Sequence, residues 1–434
     1  MTEVQTFVDQ YGAEKAALPG AELPWLAGLR ERGIERFAAL GFPTRNVEAW
    51  RYTNVRPLQK VAFVPAEPAE GVQIAVDRGA AHRLSFVNGR FRPDLSNVGD
   101  LPAGVELTSL AAVLADDPES LKDHLGAAAE DDGESFLALN TALMADGYVL
   151  RIGRGVVVED PIEMLFIGAA SDKSVAYHLR NLIVAEEGSA AVVVEDHIGH
   201  GEGAYFSNGA TEVFAGPGAR LKHYKLQDEA GAAFHLHGAF VRLDRDSAYE
   251  SFVLSLGARL SRNEIRTALN GSGAECFLNG AYVVAGDQHV DNTTFIDHAT
   301  PHTDSREVYK GVLDDTSRAV FQGTIMVRPD AQKINGHQLN RALLLSDKAE
   351  IDAKPALEIY ADDVKCSHGA TAGELDDDAL FYLRARGIPE PQARRILIEA
   401  FLDDVIDEIT HPTVRDAFRD KVSAWLAARH EEGK

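Results

Sequence analysis

The sequence predicts a mainly β protein, a parallel β-helix (β-solenoid) core flanked by α-helical N- and C-terminal regions. Three observations carry this expectation. From Tyr148 to Thr371, short β-branched and aromatic runs alternate with turns rich in Gly, Asp, Asn and Ser. Within that stretch one turn pattern recurs at a nearly constant interval. On both sides of it, apolar residues fall at the three- and four-residue spacing of an amphipathic helix.

The recurring unit is a turn, a small alanine and then a strand-like run. It occurs at Ala190 (Glu-Gly-Ser-Ala), Ala219 (Gly-Pro-Gly-Ala), Ala248 (Arg-Asp-Ser-Ala), Ala274 (Gly-Ser-Gly-Ala), Ala319 (Thr-Ser-Arg-Ala) and Ala349 (Ser-Asp-Lys-Ala). The successive steps are 29, 29, 26, 45 and 30 residues. Each step holds two strand-sized runs, such as Arg220 to Leu226 and His235 to Leu243. One such rung cannot bury its apolar face alone, whereas stacked rungs share a continuous core. Ala190, Ala219 and Ala248 are therefore expected at equivalent positions on neighbouring turns. The long step is expected to contain an insertion, roughly His289 to Ser305, projecting as a loop. An antiparallel sandwich with evenly spaced turns is the alternative architecture.

The flanks follow helical rules. Leu23, Trp25, Leu26, Leu29, Ile34, Phe37 and Leu40 give one helix over Glu22–Leu40, ended by Gly41 and Pro43. Val64–Gly71, with two prolines, reads as a loop before a short strand at Leu84–Val87, and helical signals return over Leu107–Leu125 and Glu134–Met144. Beyond Gly373, helices are expected at Leu375–Arg386, Pro391–Ile409 and Val414–Arg429. The second places Ala393, Ile396, Leu397, Ala400, Phe401, Val405 and Ile409 on one face. The chain thus divides into a largely helical region 1–147, a β core 148–371 and a helical region 372–434.

Composition narrows the function. Lys and Arg number 43 against 67 Asp and Glu, and the net charge of -24 repels phosphate backbones and anionic lipid, so nucleic acid and membrane are disfavoured as partners. The first residues, Met-Thr-Glu-Val-Gln, lack a basic n-region and an apolar h-region, and no run of eighteen apolar residues occurs, so a cytoplasmic protein is expected. Only Cys276 and Cys366 occur, too few for a secreted disulfide framework. There is no Gly-x-x-x-x-Gly-Lys-Ser/Thr loop to cradle a nucleotide phosphate.

The densest motif content lies between Asp314 and Phe401. It comprises Val320-Phe321-Gln322-Gly323, Ala331-Gln332-Lys333, Gln338-Leu339-Asn340, Lys354-Pro355-Ala356-Leu357-Glu358-Ile359, and Asp362-Asp363-Val364-Lys365-Cys366-Ser367-His368-Gly369-Ala370-Thr371. Leu380-Phe381-Tyr382-Leu383 and Arg386-Gly387-Ile388 follow. This order resembles the C-terminal signature of the SufB/SufD family of iron–sulfur cluster assembly proteins. Arg45 with Trp50-Arg51-Tyr52-Thr53 resembles the N-terminal signature of its SufD branch.

The resemblance implies a right-handed parallel β-helix. It also implies a non-catalytic scaffold subunit that acts with SufB and the ATPase SufC in cluster formation and iron acquisition. ATP hydrolysis would then belong to the SufC-like chain, docked through the C-terminal helical region. A SufB-like subunit is the expected partner, and a homodimer is the other assembly open to the chain. No cofactor is expected to stay on this chain alone; an iron–sulfur cluster would form transiently in the complex. The matching family histidine falls on His368, at the contact with SufB, and Cys366 is carried over beside it.

Cys366 and His368 also stand on their own chemistry. Residues i and i+2 of a strand share a face, so a thiolate and an imidazole there could address one iron or sulfur atom. Two ligands leave a cluster short of its usual four, which places such a site at an interface. The structural reading is a small buried thiol and a hydrogen-bonded imidazole closing the last rung. His197/His200, His235/His237 and His298/His302 also have ligand-compatible spacing. Their turn locations and acidic neighbours favour solvated or hydrogen-bonded roles, and no site is assigned to them. Cys276, beside Phe277 and Leu278, reads as a buried small hydrophobe. A cytoplasmic β-helix enzyme acting on a glycan is the competing function, but no concentrated carboxylate and basic constellation or aromatic-rich groove supports it.

Overall fold

The computed structural model describes residues 3–67, 72, 80–129 and 133–432. Consecutive strands from Ile162 to Gly373 alternate between two ten-stranded sheets, so each turn of chain adds one strand to each sheet. Every pairing along this stretch is parallel. This is the β-solenoid expected from the repeat, with about 8 turns, helices at both ends and no antiparallel sandwich. Between the sheets lies one long apolar core that includes Tyr148, Met164, Val193, Leu221, Tyr249, Cys276, Ile296 and Ile325.

Stacking aligns residues in columns. One inward column runs Val193, His223, Ser251, Leu278, Glu307, Gln338 and His368. The column beside it runs Leu221, Tyr249, Cys276, Ser305, Gly336 and Cys366. Cys276 and Cys366 are thus three strand spacings apart, roughly 14 Å, too far for a disulfide.

Two details of the repeat differ from expectation. Arg220, not Ala219, is level with Ala190 and Ala248. Ala219 lies one place earlier, and Ser189, Ala219, Ser247 and Ala274 form a fully buried corner stack joined by bonds such as Ala248 N–H to Ala219 C=O. A small residue is needed at that corner, and serine serves as well as alanine. The 45-residue step holds no projecting insertion. His289–His298 is a strand paired in register with Leu260–Leu269 and Arg318–Val327, and Asp304–Leu313 follows after a short turn. The step spans a turn and a half, because Ala274 leads into one sheet and Ala319 lies in the other.

The N-terminal helices cover the outer face of one sheet. Pro24–Leu40 forms as expected and stops at Gly41, whose φ of 64° suits glycine. Ser135–Leu143 is helical and packs on it. Leu107 falls in a strand, Val105–Ser109, antiparallel to Tyr148–Ile152; the helix starts only at Leu110, with the Ser109 hydroxyl accepting from the Ala112 N–H at 3.2 Å. A sheet-edge partner here overrides local helical spacing. Of Val64–Gly71, Val64–Pro65 pairs with Val175–Ala176, and residues 68–71 lie outside the described residues.

The C-terminal helices Glu390–Ile406 and Pro412–Glu432 lie on the outer face of the other sheet. The buried face of the first is Ala393, Ile398, Leu402, Val405 and Ile406. Ile396, Leu397 and Phe401, expected on that face, are only half-buried, and Ala400 is exposed. Ile398, Leu402, Val405 and Ile406 join Leu254, Ala281, Val283 and Val308 in one buried cluster, and Phe401 packs at its edge.

Candidate functional site

Strands Glu350–Ile359 and Val364–Gly373 end their sheets, and their outer edges pair with no further strand among the described residues. Such an edge offers unpaired backbone groups to another chain. Cys366 and His368 alternate with Lys365 and Ser367 on the last strand, so the two share one face. That face is the inner one. Cys366 packs on the solenoid core, and its Sγ would be 3.3 Å from a Cβ at Gly336. Ser367, on the outer face, meets His337 Nδ1 at 2.8 Å.

Cys366 is half-buried and His368 exposed, as befits the last turn of a stack that no further rung covers. Burial pushes the Cys366 thiol up, partly offset by a hydrogen bond with the Gly336 backbone. A neutral thiol of this kind becomes a ligand once a metal displaces its proton. The structure therefore brings together the two residues expected to act together, on one face, at an edge able to receive another subunit.

Beneath His368 the column continues as Gln338 and Glu307, both buried. Gln338 Nε2 donates to Glu307 Oε2 at 2.7 Å. Burial raises the Glu307 carboxyl from its ordinary 4.5 to about 7. Gly323, in the facing sheet, leaves the space that the Gln338 amide fills. Two of the C-terminal motifs thus prove to be one packing unit directly below the open end.

The N-terminal signature works as a strap. Arg262 stacks over the Trp50 ring at 4.2 Å and donates to the Ala49 carbonyl at 3.1 Å, which also accepts from Gln322 Nε2 at 3.1 Å. Thr53 and Arg262 both bond the buried Asp291. Arg45 is exposed.

Sequence reasoning missed a polar cluster deeper in the stack. His197, His235 and His237 are all buried, and their ligand atoms lie within 4.8 Å of one another. His235 and His237 sit on a strand and not in a turn, so the solvated role is wrong for them. His197 approaches from the facing sheet; its distance in sequence hid the convergence. His298 does have a hydrogen-bonded role, to Thr303 at 2.7 Å and Ser305 at 2.9 Å. His200 and His302 are exposed.

Fold and site together define a class: a β-solenoid whose last turn presents a thiol and an imidazole at an unpaired edge. Comparison with known proteins gives the family. Residues 1–164 match the SufBD protein N-terminal region, and residues 166–401 match the SufBD core domain of SUF system FeS cluster assembly. The chain belongs to the SufBD family. It is 32% identical over 423 residues to an iron–sulfur cluster assembly SufBD family protein of Synechocystis, covering 94% of this chain and 93% of that one. It is 31% identical over 405 residues to the iron–sulfur cluster assembly protein SufD of Escherichia coli, covering 92% of each chain. SufD of Bacillus subtilis is 28% identical over 426 residues, or 93% of this chain and 94% of the relative. Among the described residues no helix is long and apolar enough to cross a membrane.

Proposed function

We propose that this chain is a non-catalytic scaffold subunit of a cytoplasmic SUF complex for iron–sulfur cluster assembly, working in cluster formation and iron acquisition. Its family and its SufD relatives support the role in cluster assembly. The observation that carries the finer reading is the placement of Cys366 and His368 on one face of a terminal strand with an unpaired edge. A SufB-like subunit, or a second copy of this chain, docks on the edge strands and completes the ligand set around a transient cluster. For this purpose the chain divides into regions 1–147, 148–371 and 372–434.

A SufC-like ATPase docks on the C-terminal helices. Phe381 and Tyr382 are 72% and 56% exposed, and Ile396 and Leu397 nearby in sequence are half-buried. Neighbouring aromatic residues left in water fit a partner surface. The test is co-expression of this chain with SufB-like and SufC-like subunits, followed by anaerobic reconstitution with iron and sulfide. Copurification of all three, with cluster content that requires His368, is expected. Full cluster content in an intact complex carrying His368→Ala overturns the assigned site.

A further inference from the structure

We propose that His197, His235 and His237 form a binding site for one divalent first-row transition metal ion inside the solenoid, separate from Cys366 and His368. The three imidazoles come from both sheets and converge with ligand atoms within 4.8 Å of one another. His235 and His237 alternate on the inner face of Phe234–Leu243, and His197 faces them from Ala190–His200. Their ring centroids are 4.0 Å apart for His235–His237, 4.6 Å for His197–His237 and 4.9 Å for His197–His235. Along the sheet, Ala190–His200 and Val364–Gly373 are six strand spacings apart, roughly 29 Å.

The surroundings are those of a built site. Glu195 Oε2 lies 3.2 Å from His197 Nε2, Glu229 Oε2 lies 2.6 Å from His235 Nδ1, and Ser207 Oγ lies 2.9 Å from His237 Nε2. Oxygen groups beside imidazoles fix ring orientation and raise ligand basicity. His235 is fully buried, screened from bulk water. Gly209 makes room for the His237 ring, where a Cβ would approach to 2.2 Å. A cavity of about 30 Å³ adjoins His237, bordered by Glu195, His223, Lys225 and Asn263, with space for a metal-bound water.

The chemistry selects the ion. Imidazole nitrogen with carboxylate oxygen suits Zn²⁺, Fe²⁺ or Co²⁺, and hard Mg²⁺ or Ca²⁺ prefers all-oxygen sites. Lys225 is a cation in the same cavity and opposes metal entry; Glu195 and Glu229 offset it.

The test uses the full-length chain, stripped with chelator and titrated anaerobically with Co²⁺. One Co²⁺ per chain is expected, with visible d–d absorption, no thiolate charge-transfer band, and release by Zn²⁺. His197→Gln, His235→Gln and His237→Gln are each expected to weaken binding about tenfold or more. The Cys366→Ala/His368→Ala chain keeps full binding, which separates this site from the one under the proposed function. Should the glutamine variants fail to fold, anomalous scattering from Zn²⁺-loaded wild-type crystals decides. A peak among the three imidazoles supports the site. No stoichiometric binding, a peak elsewhere, or unchanged affinity in the folded variants overturns it.

Discussion

Gly323 and Gln338 occupy one space from opposite sheets: a Cβ on residue 323 would lie 1.7 Å from Gln338 Nε2. Gln338 is held there by its bond to Glu307 at 2.7 Å, so its retreat would cost a buried carboxyl one of its hydrogen-bond partners. Gly323→Ala is expected to cost on the order of 1 to 3 kcal/mol in chemical unfolding. Gln338→Ala removes the obstacle. The double variant should therefore lose less than the sum of the two single changes. Simple additivity would show that the two residues do not compete for this space.

Glu307 makes stability depend on pH. Its carboxyl titrates near 7 in the fold against 4.5 ordinarily, so between those values the folded chain binds more protons than the unfolded one. Stability then falls as pH rises from about 4.5 to 7, by an amount on the order of 3 kcal/mol in full. Glu307→Gln removes this dependence. Thermal unfolding should find the variant more stable than wild type at pH 8, with the advantage fading toward pH 4.5. A constant difference across that range would rule out this role for Glu307.

His368 is exposed, and its replacement by Ala should leave stability within about 0.5 kcal/mol of wild type. Loss of cluster in the assembled complex would then be chemical. Cys366→Ala removes a half-buried thiol from the core edge and should lower both stability and cluster content. A marked drop in the melting temperature of His368→Ala would return that residue to a packing role.

Glu212 anchors the N-terminal region to the solenoid. It accepts from Arg180 Nη2 at 2.7 Å and from the backbone N–H groups of Gly126, Ala128 and Ala129 at 2.7, 2.8 and 3.1 Å. Both members of the ion pair are fully buried. Glu212→Ala strands the Arg180 charge and three donors, and a loss of about 3 to 5 kcal/mol is expected in chemical denaturation. Arg180→Met with Glu212→Met should recover part of it.

Phe381→Asp with Tyr382→Asp changes only exposed side chains, so the melting temperature should hold. Copurification of a SufC-like ATPase should fall sharply. Deleting the C-terminal helices is a poorer test, because they cover Tyr224, Leu226, Phe252 and Leu254. Undiminished copurification would move the ATPase contact elsewhere.

Much was legible before any coordinates because it is encoded locally. The interval between turns fixed the solenoid, helical spacing placed Pro24–Leu40 and the C-terminal helices, and the alternation of a strand put Cys366 and His368 on one face. A one-residue offset at Ala219 went unseen because serine and alanine fit the same corner. The half-turn between Ala274 and Ala319 went unseen because the two sheets use similar turns.

The sequence by itself determined which segments become strands and helices, the fold class, and the family signatures around Cys366 and His368, since each depends on residues within a few positions of one another. Only the tertiary structure decided which apolar residues of Glu390–Ile406 are buried, that Gly323 makes room for Gln338, and that His197 meets His235 and His237. Those relationships depend on how many residues each turn consumes and how the two sheets face each other. A change of one residue in a turn shifts the register and sends every side chain of the next strand to the opposite face.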